Sequence, residues 1–183
     1  MRTLVLGGIR SGKSRWAEEA IAEAVPPQHP VRYLATGAGD DTDEAWTARV
    51  ATHRARRPAS WQTAESADVA TELHSHPGSA ALVDDIGGWL TAAMDRTGAW
   101  DSPQTPAALR DAVGDLVAAV RGFGSPLVLV SPEVGLTVVS ATAAGRRFTD
   151  ALGMLNQQLA AACDRVVLVV AGIAVPIKSQ GAG

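Results

Sequence analysis

The segment Gly7-Gly8-Ile9-Arg10-Ser11-Gly12-Lys13-Ser14 constrains the fold of this chain more than any other. It matches the pattern G-x-x-x-x-G-K-[ST] of a phosphate-binding loop at every fixed position. The residue types follow from the task. Gly7 and Gly12 let the backbone curl so that its N–H groups face a phosphate chain, Lys13 neutralises β/γ oxygens, and the Ser14 hydroxyl can ligate Mg²⁺. Such a loop works only between a buried strand and a helix whose positive end points at the anion. The flanks comply: Thr3 to Leu6 is an apolar, partly β-branched run, and Arg15 to Ala24 has helical spacing in Trp16, Ala20, Ile21 and Ala24. A glycine-rich turn that merely carries a lysine would not require both flanks.

The rest of the chain continues the alternation. Pro26, Pro27 and Pro30 close a loop, and Val31 to Ala35 predicts the second strand. Thr36 to Asp43 is a Gly/Asp-rich loop, a helix is expected from about Asp43 to Ala55, and Arg56-Arg57-Pro58 ends it. Trp61, Thr63 and Glu65 alternate as in a short strand, and a weakly periodic helix is expected over Ala67 to His74. Ala80 to Val83 predicts a strand ending at Asp84-Asp85, followed by a helix over Gly88 to Asp95 and a polar loop from Thr97 to Pro106. Leu109, Val113, Leu116, Val117 and Val120 form one helical stripe. A strand over Pro126 to Val130, an irregular loop over Ser131 to Thr142 and a helix through Phe148, Leu152, Leu155 and Leu159 follow. Val166 to Val170, a turn at Ala171-Gly172 and a short strand near Ile173 to Ile177 end the ordered chain. Apolar strands alternating with helices predict a single three-layer α/β domain with a mainly parallel sheet, spanning residues 1–178 with 179–183 as a loose tail.

Composition narrows the function. The formal net charge of −3 argues against a general nucleic-acid binder. Cys163 is the only cysteine, which excludes an internal disulfide and a cysteine-based zinc site and suits a reducing cytoplasm. No run approaches ~20 uninterrupted apolar residues, so no membrane span is expected. The reading is a soluble, cytoplasmic protein.

Two stretches beyond the loop bear chemistry. A phosphate loop needs a carboxylate that holds the Mg²⁺ water shell, usually from the end of a buried strand beside the loop strand. Asp84 stands in that position, with Asp85 the near competitor. Either aspartate could instead cap the helix that follows, and one could do each task. The densest basic segment is Arg49 to Pro58, in which Arg49 and His53 share a helix face and Arg54, Arg56 and Arg57 crowd its end. Composition alone reads it as a solvated basic helix end. Its other reading is a phosphate-binding arginine cluster around a neutral, nucleophilic imidazole.

Together these stretches resemble the bifunctional adenosylcobinamide kinase/adenosylcobinamide-phosphate guanylyltransferase family of late cobalamin biosynthesis. The resemblance spans nearly the whole chain. It rests on the loop, Tyr33-Leu34-Ala35-Thr36-Gly37, Asp43-Glu44, Arg49-Val50, and His53-Arg54 with Arg57-Pro58, Trp61, Thr63 and Glu65 in register. Glu133-Val134-Gly135, Arg146, Phe148, Asp150, Gly153 and Asn156-Gln157 extend it. It implies a RecA-like P-loop NTPase fold, a trimer in the family, with two activities. One passes the γ-phosphate of ATP or GTP to adenosylcobinamide. The other moves GMP from GTP through a guanylylated histidine to adenosylcobinamide phosphate, giving adenosylcobinamide-GDP. The histidine falls on His53. Nucleotide-contacting positions fall on Gly7 to Ser14, Thr36, Gly37, Arg54, Ala55, Arg56, Arg57 and Glu65, with Asp84 as acidic equivalent and Ser14 and Asp84 toward Mg²⁺. Two simpler readings share the loop: a small-molecule kinase without guanylyl transfer, and a nucleotide-binding regulator without turnover. The chain departs from the family pattern at Trp46, where Met is usual, and at Pro132, Thr137 and Ser140, which replace an Asn, a Gly and a Pro.

Overall fold

The computed structural model describes residues 1–37, 57–102, 104–136 and 138–179. In chain order the elements are β1 (Arg2–Gly7), α1 (Lys13–Glu23), β2 (Val31–Ala35), β3 (Gln62–Glu65), α2 (Val69–Ser75), β4 (Ala80–Asp84), α3 (Ile86–Thr97), α4 (Ala107–Gly122), β5 (Leu127–Pro132), α5 (Ala143–Ala162), β6 (Arg165–Val170) and β7 (Ile173–Lys178). The expected helix from Asp43 to Ala55 lies outside the described residues.

One seven-stranded sheet runs β3-β2-β4-β5-β1-β6-β7, parallel throughout except for the β6–β7 hairpin. Strand alternation divides the apolar residues between its two faces. Leu4, Leu6, Leu34, Val83 and Leu129 pack with α3, α4 and α5, while Val5, Tyr33, Leu82, Val128, Val130 and Val167 pack with Ala17 and Ile21 of α1. This is the three-layer α/β arrangement expected from the alternating runs.

Three helices begin at polar side chains that accept an otherwise orphaned N–H: Asp68 from Thr71, Asp85 from Gly88 and Thr142 from Gly145. Gly98, in a left-handed conformation, ends α3. The β6–β7 turn places both Ala171 (φ 51°) and Gly172 (φ 81°) at positive φ, the signature of a tight primed hairpin turn. At the opposite edge of the sheet Arg2 clamps Asp164 through its backbone N–H at 2.7 Å and Nη2 at 2.8 Å. That guanidinium holds the Asp164 carboxyl down at about 2.

One boundary differs from expectation. Ser131 and Pro132, predicted to begin an irregular loop, complete β5, where Ser131 registers with Leu6 and Pro132 with Gly7. Pro132 is tolerated there because β4 pairs with β5 only as far as Val130, so the N–H that proline lacks has no strand partner to serve. Its carbonyl accepts Asn156 Nδ2 at 3.0 Å, and Asn156 Oδ1 accepts the buried Ser131 hydroxyl at 2.6 Å, so α5 pins the strand end beside the loop strand.

Candidate active site

The parallel strands all point their C-terminal ends to one edge, and the sequence-predicted residues within the described chain gather there. The phosphate loop leaves β1 at Gly7 and enters α1 at Lys13. Arg10 (φ 56°) and Gly12 (φ 94°) take left-handed conformations that curl it. Ser11 N–H donates to the Gly8 carbonyl at 3.2 Å, and the hairpin turn reaches over so that Gly172 N–H donates to the Ser11 carbonyl at 2.8 Å. No side chain caps α1, which leaves the N–H groups of its first turn to an anion. Lys13 Nζ folds back over the loop, 3.4 Å from the Gly8 carbonyl.

The two aspartates divide the labour. β5 lies between β4 and β1, so Asp84 does not sit on the strand next to the loop strand as expected. Its carboxylate nevertheless reaches the loop, with Oδ1 3.4 Å from the Ser14 hydroxyl. A hydroxyl and a carboxylate side by side form a hard oxygen pair of the kind Mg²⁺ takes while keeping several waters, so these residues fit that ion. Asp85 does the capping: its Oδ1 accepts Gly88 N–H at 2.7 Å. Burial pushes its carboxyl pKa up, against the pull of that N–H.

The junction leaves little room for side chains at two glycines. A Cβ on Gly87 would lie 3.0 Å from the Pro132 ring, and one on Gly88 3.1 Å from the backbone of Gly37. Thr36, itself buried, donates its hydroxyl to the Asp85 carbonyl, closing the Thr36–Gly37 corner onto α3.

Tyr33 carries a second set of contacts. Its hydroxyl donates to Asp84 Oδ2 at 2.6 Å, and Trp61 stacks on its ring with centroids 6.5 Å apart. The Arg57 guanidinium lies 3.3 Å above that ring and donates to the Thr63 hydroxyl at 3.1 Å. Burial, foremost, and the Asp84 charge push the phenol far above its ordinary range, so it stays a donor. In the sequence Tyr33 stands out only as one residue of the family string Tyr33 to Gly37. It is the sole tyrosine, and its place on the buried face of a strand, between Val31 and Ala35, was the available signal.

The candidate residues therefore form two groups. Gly7 to Ser14 and Asp84 surround the loop, whereas Thr36, Gly37, Arg57 and Glu65 belong to the β2–β3 side. Glu65 ends β3, four strand spacings from β1, or about 19 Å at ~4.8 Å per spacing. An elongated ligand lying across the strand ends would touch both groups. His53, Arg54, Ala55 and Arg56 lie outside the described residues.

Residues 3–177 match the family model described as cobinamide kinase / cobinamide phosphate guanyltransferase. The chain belongs to that family. It is 39% identical to the bifunctional adenosylcobalamin biosynthesis protein CobP of Pseudomonas aeruginosa, over 98% of this chain and 99% of that one. It is likewise 39% identical to the bifunctional adenosylcobalamin biosynthesis protein CobU of Salmonella typhimurium, over 97% and 100% respectively. Among solved structures it resembles an ATPase from the type III secretion system of pathogenic bacteria, with a TM-score of 0.56 at 13% identity. That match covers 91% of this chain, which spans half of the ATPase, and it speaks for the P-loop fold alone. The chain is accordingly an adenosylcobinamide kinase and adenosylcobinamide-phosphate guanylyltransferase of cobalamin biosynthesis. Among the described residues no helix is long and apolar enough to cross a membrane.

Proposed function

We propose that the chain carries out both reactions at the C-terminal edge of its sheet, in the cytoplasm and as a homotrimer. In the kinase reaction the aminopropanol hydroxyl of adenosylcobinamide attacks the γ-phosphorus of ATP or GTP, and the nucleoside diphosphate leaves. In the guanylyltransferase reaction an imidazole nitrogen of His53 bonds to the α-phosphorus of GTP while the α–β bridging bond breaks and pyrophosphate departs. A phosphate oxygen of adenosylcobinamide phosphate then attacks the same phosphorus. The P–N bond breaks, the histidine is returned, and adenosylcobinamide-GDP forms. A histidine phosphoramidate is a high-energy link, so this second transfer is not uphill.

The observation that carries the reading is the pairing of an intact phosphate loop with Asp84 3.4 Å from Ser14 at the strand ends. In this reading the N–H groups from Gly7 to Ser14 hold the triphosphate and Lys13 spreads its charge. Ser14 and Asp84 hold Mg²⁺, which supplies further positive charge to the phosphate oxygens. Thr36, Gly37, Arg54 to Arg57 and Glu65 take the other end of the nucleotide, with Arg57 steadied over Tyr33. Lys13→Ala then lowers γ-phosphate transfer to adenosylcobinamide by about 100- to 1000-fold, the usual loss of a group that stabilises transferring charge. Assaying that transfer with γ-labelled ATP and GTP tests the kinase half, and a variant that keeps full activity overturns the role given to the loop.

A further inference from the structure

We propose that Tyr33 is a positioning residue that joins the two halves of the site: its hydroxyl orients the Asp84 carboxylate toward Ser14, and its ring carries the Arg57 guanidinium. The inference deepens the reading of Ser14 and Asp84 as the cation-holding pair and rests on it.

A carboxylate at the end of a strand rotates unless something fixes it. Here one oxygen is held by the Tyr33 hydroxyl at 2.6 Å, which leaves Oδ1 on the Ser14 side at 3.4 Å. A hydrogen bond of that length to a charged acceptor is among the stronger kinds. Tyr33 itself cannot turn away. It is 2% exposed, seated in the core on the α1 face, and backed by Trp61.

The other end of the ring faces Arg57. The guanidinium sits 3.3 Å from the ring centroid, and its Nη1 donates to Thr63. Arg57 Nε is buried and has no hydrogen-bond partner among the described residues. A charged group in that setting is held chiefly by the aromatic face, whose attraction grows as water is excluded. Arg57 follows the His53 segment in sequence, so the tyrosine connects the loop side with the end of that segment through two contacts of different chemistry. Phenylalanine keeps the ring and removes the hydroxyl, which separates them.

The test is binding of a fluorescent GTP analogue to the whole chain, titrated with Mg²⁺, with thermal melting as a check on folding. Tyr33→Phe is expected to raise the Mg²⁺ concentration at half-maximal binding about tenfold, the loss of one hydrogen bond to a charged group. A tyrosine with a merely structural role would lower the melting temperature and leave that midpoint in place. Ser14→Ala and Asp84→Asn are run beside it. If they shift the Mg²⁺ midpoint and Tyr33→Phe does not, the positioning role is overturned while the cation pair stands. If none of the three shifts it, the assignment of the cation pair falls as well. For the ring, Tyr33→Phe, which already lacks the hydroxyl, is the reference: against it, Tyr33→Leu combined with Arg57→Ala is expected to weaken nucleotide binding by less than the product of the two separate losses, whereas fully multiplicative losses would overturn the link to Arg57.

Discussion

Replacing Gly7 with alanine tests the loop architecture against a control one residue away. Gly7 is the last residue of β1 and is registered with Pro132 of β5 on one side and Val169 of β6 on the other. A Cβ there would fall onto the Ser11 hydroxyl and 2.7 Å from the Val169 carbonyl oxygen. The serine side chain can swing aside, but the carbonyl belongs to β6, which is paired on both sides, with β1 and with β7. Relief therefore requires the loop to lift from the sheet. Overpacking of this kind costs roughly 1–3 kcal/mol, and a central value of about 2 lowers the melting temperature of a chain this long by about 4–8 °C. At Gly8 a Cβ would meet nothing within 4 Å. Gly8→Ala is thus expected within about 0.5 kcal/mol of wild type. Thermal melting of the two variants, with affinity for a fluorescent GTP analogue, gives the answer. Gly7→Ala should melt lower and bind at least tenfold more weakly. If the two variants melt together and bind alike, the close approach of Gly7 to β6 does not shape the loop.

Asn156→Ala leaves the Ser131 hydroxyl, wholly buried, without its acceptor, and should destabilise by about 1–3 kcal/mol in urea unfolding. Adding Ser131→Ala should return part of that loss. Asp164→Asn removes a carboxylate whose folded-state pKa lies below its unfolded value. Its stabilisation is therefore present above the unfolded pKa, near 4, and lost as pH falls through about 2. Discounted for partial exposure, about 1 kcal/mol should separate variant from wild type at pH 6, and melting curves should converge as pH drops from 5 toward 2. Cys163 is buried, and burial pushes its thiol up to about 12, so an alkylating reagent at pH 8 should leave the folded chain unlabelled in a mass measurement.

Much of this architecture was legible because its signals are local. The β2 boundaries Val31–Ala35 followed from a mainly apolar run between a proline-rich loop and a glycine, and the loop motif located both β1 and α1. What escaped depended on partners distant in sequence. Nothing near Ser131-Pro132 announces that Asn156, on α5, continues the strand through them. Two adjacent aspartates read alike until the fold shows that only Asp84 faces Ser14 while Asp85 caps α3. The helix expected from Gly88 carries no hint that Gly87 and Gly88 approach Pro132 and Gly37, a closeness that exists only once β4 lies between β2 and β5. Tyr33 lies within the run that predicts β2, and nothing in that run shows that its hydroxyl and ring face meet Asp84 and Arg57. The hold of Gly172 on Ser11 bridges the two ends of the chain and could not be read from either.

The loop is proposed to hold GTP while His53 takes up its α-phosphorus. Incubation with GTP labelled at the α-phosphate tests it most directly, followed by acid and alkali treatment of the protein. Wild type should carry labelled GMP in an acid-labile, alkali-stable bond, release it to adenosylcobinamide phosphate, and lose the label altogether as His53→Ala. No label on wild type, or undiminished label on His53→Ala, would contradict the account.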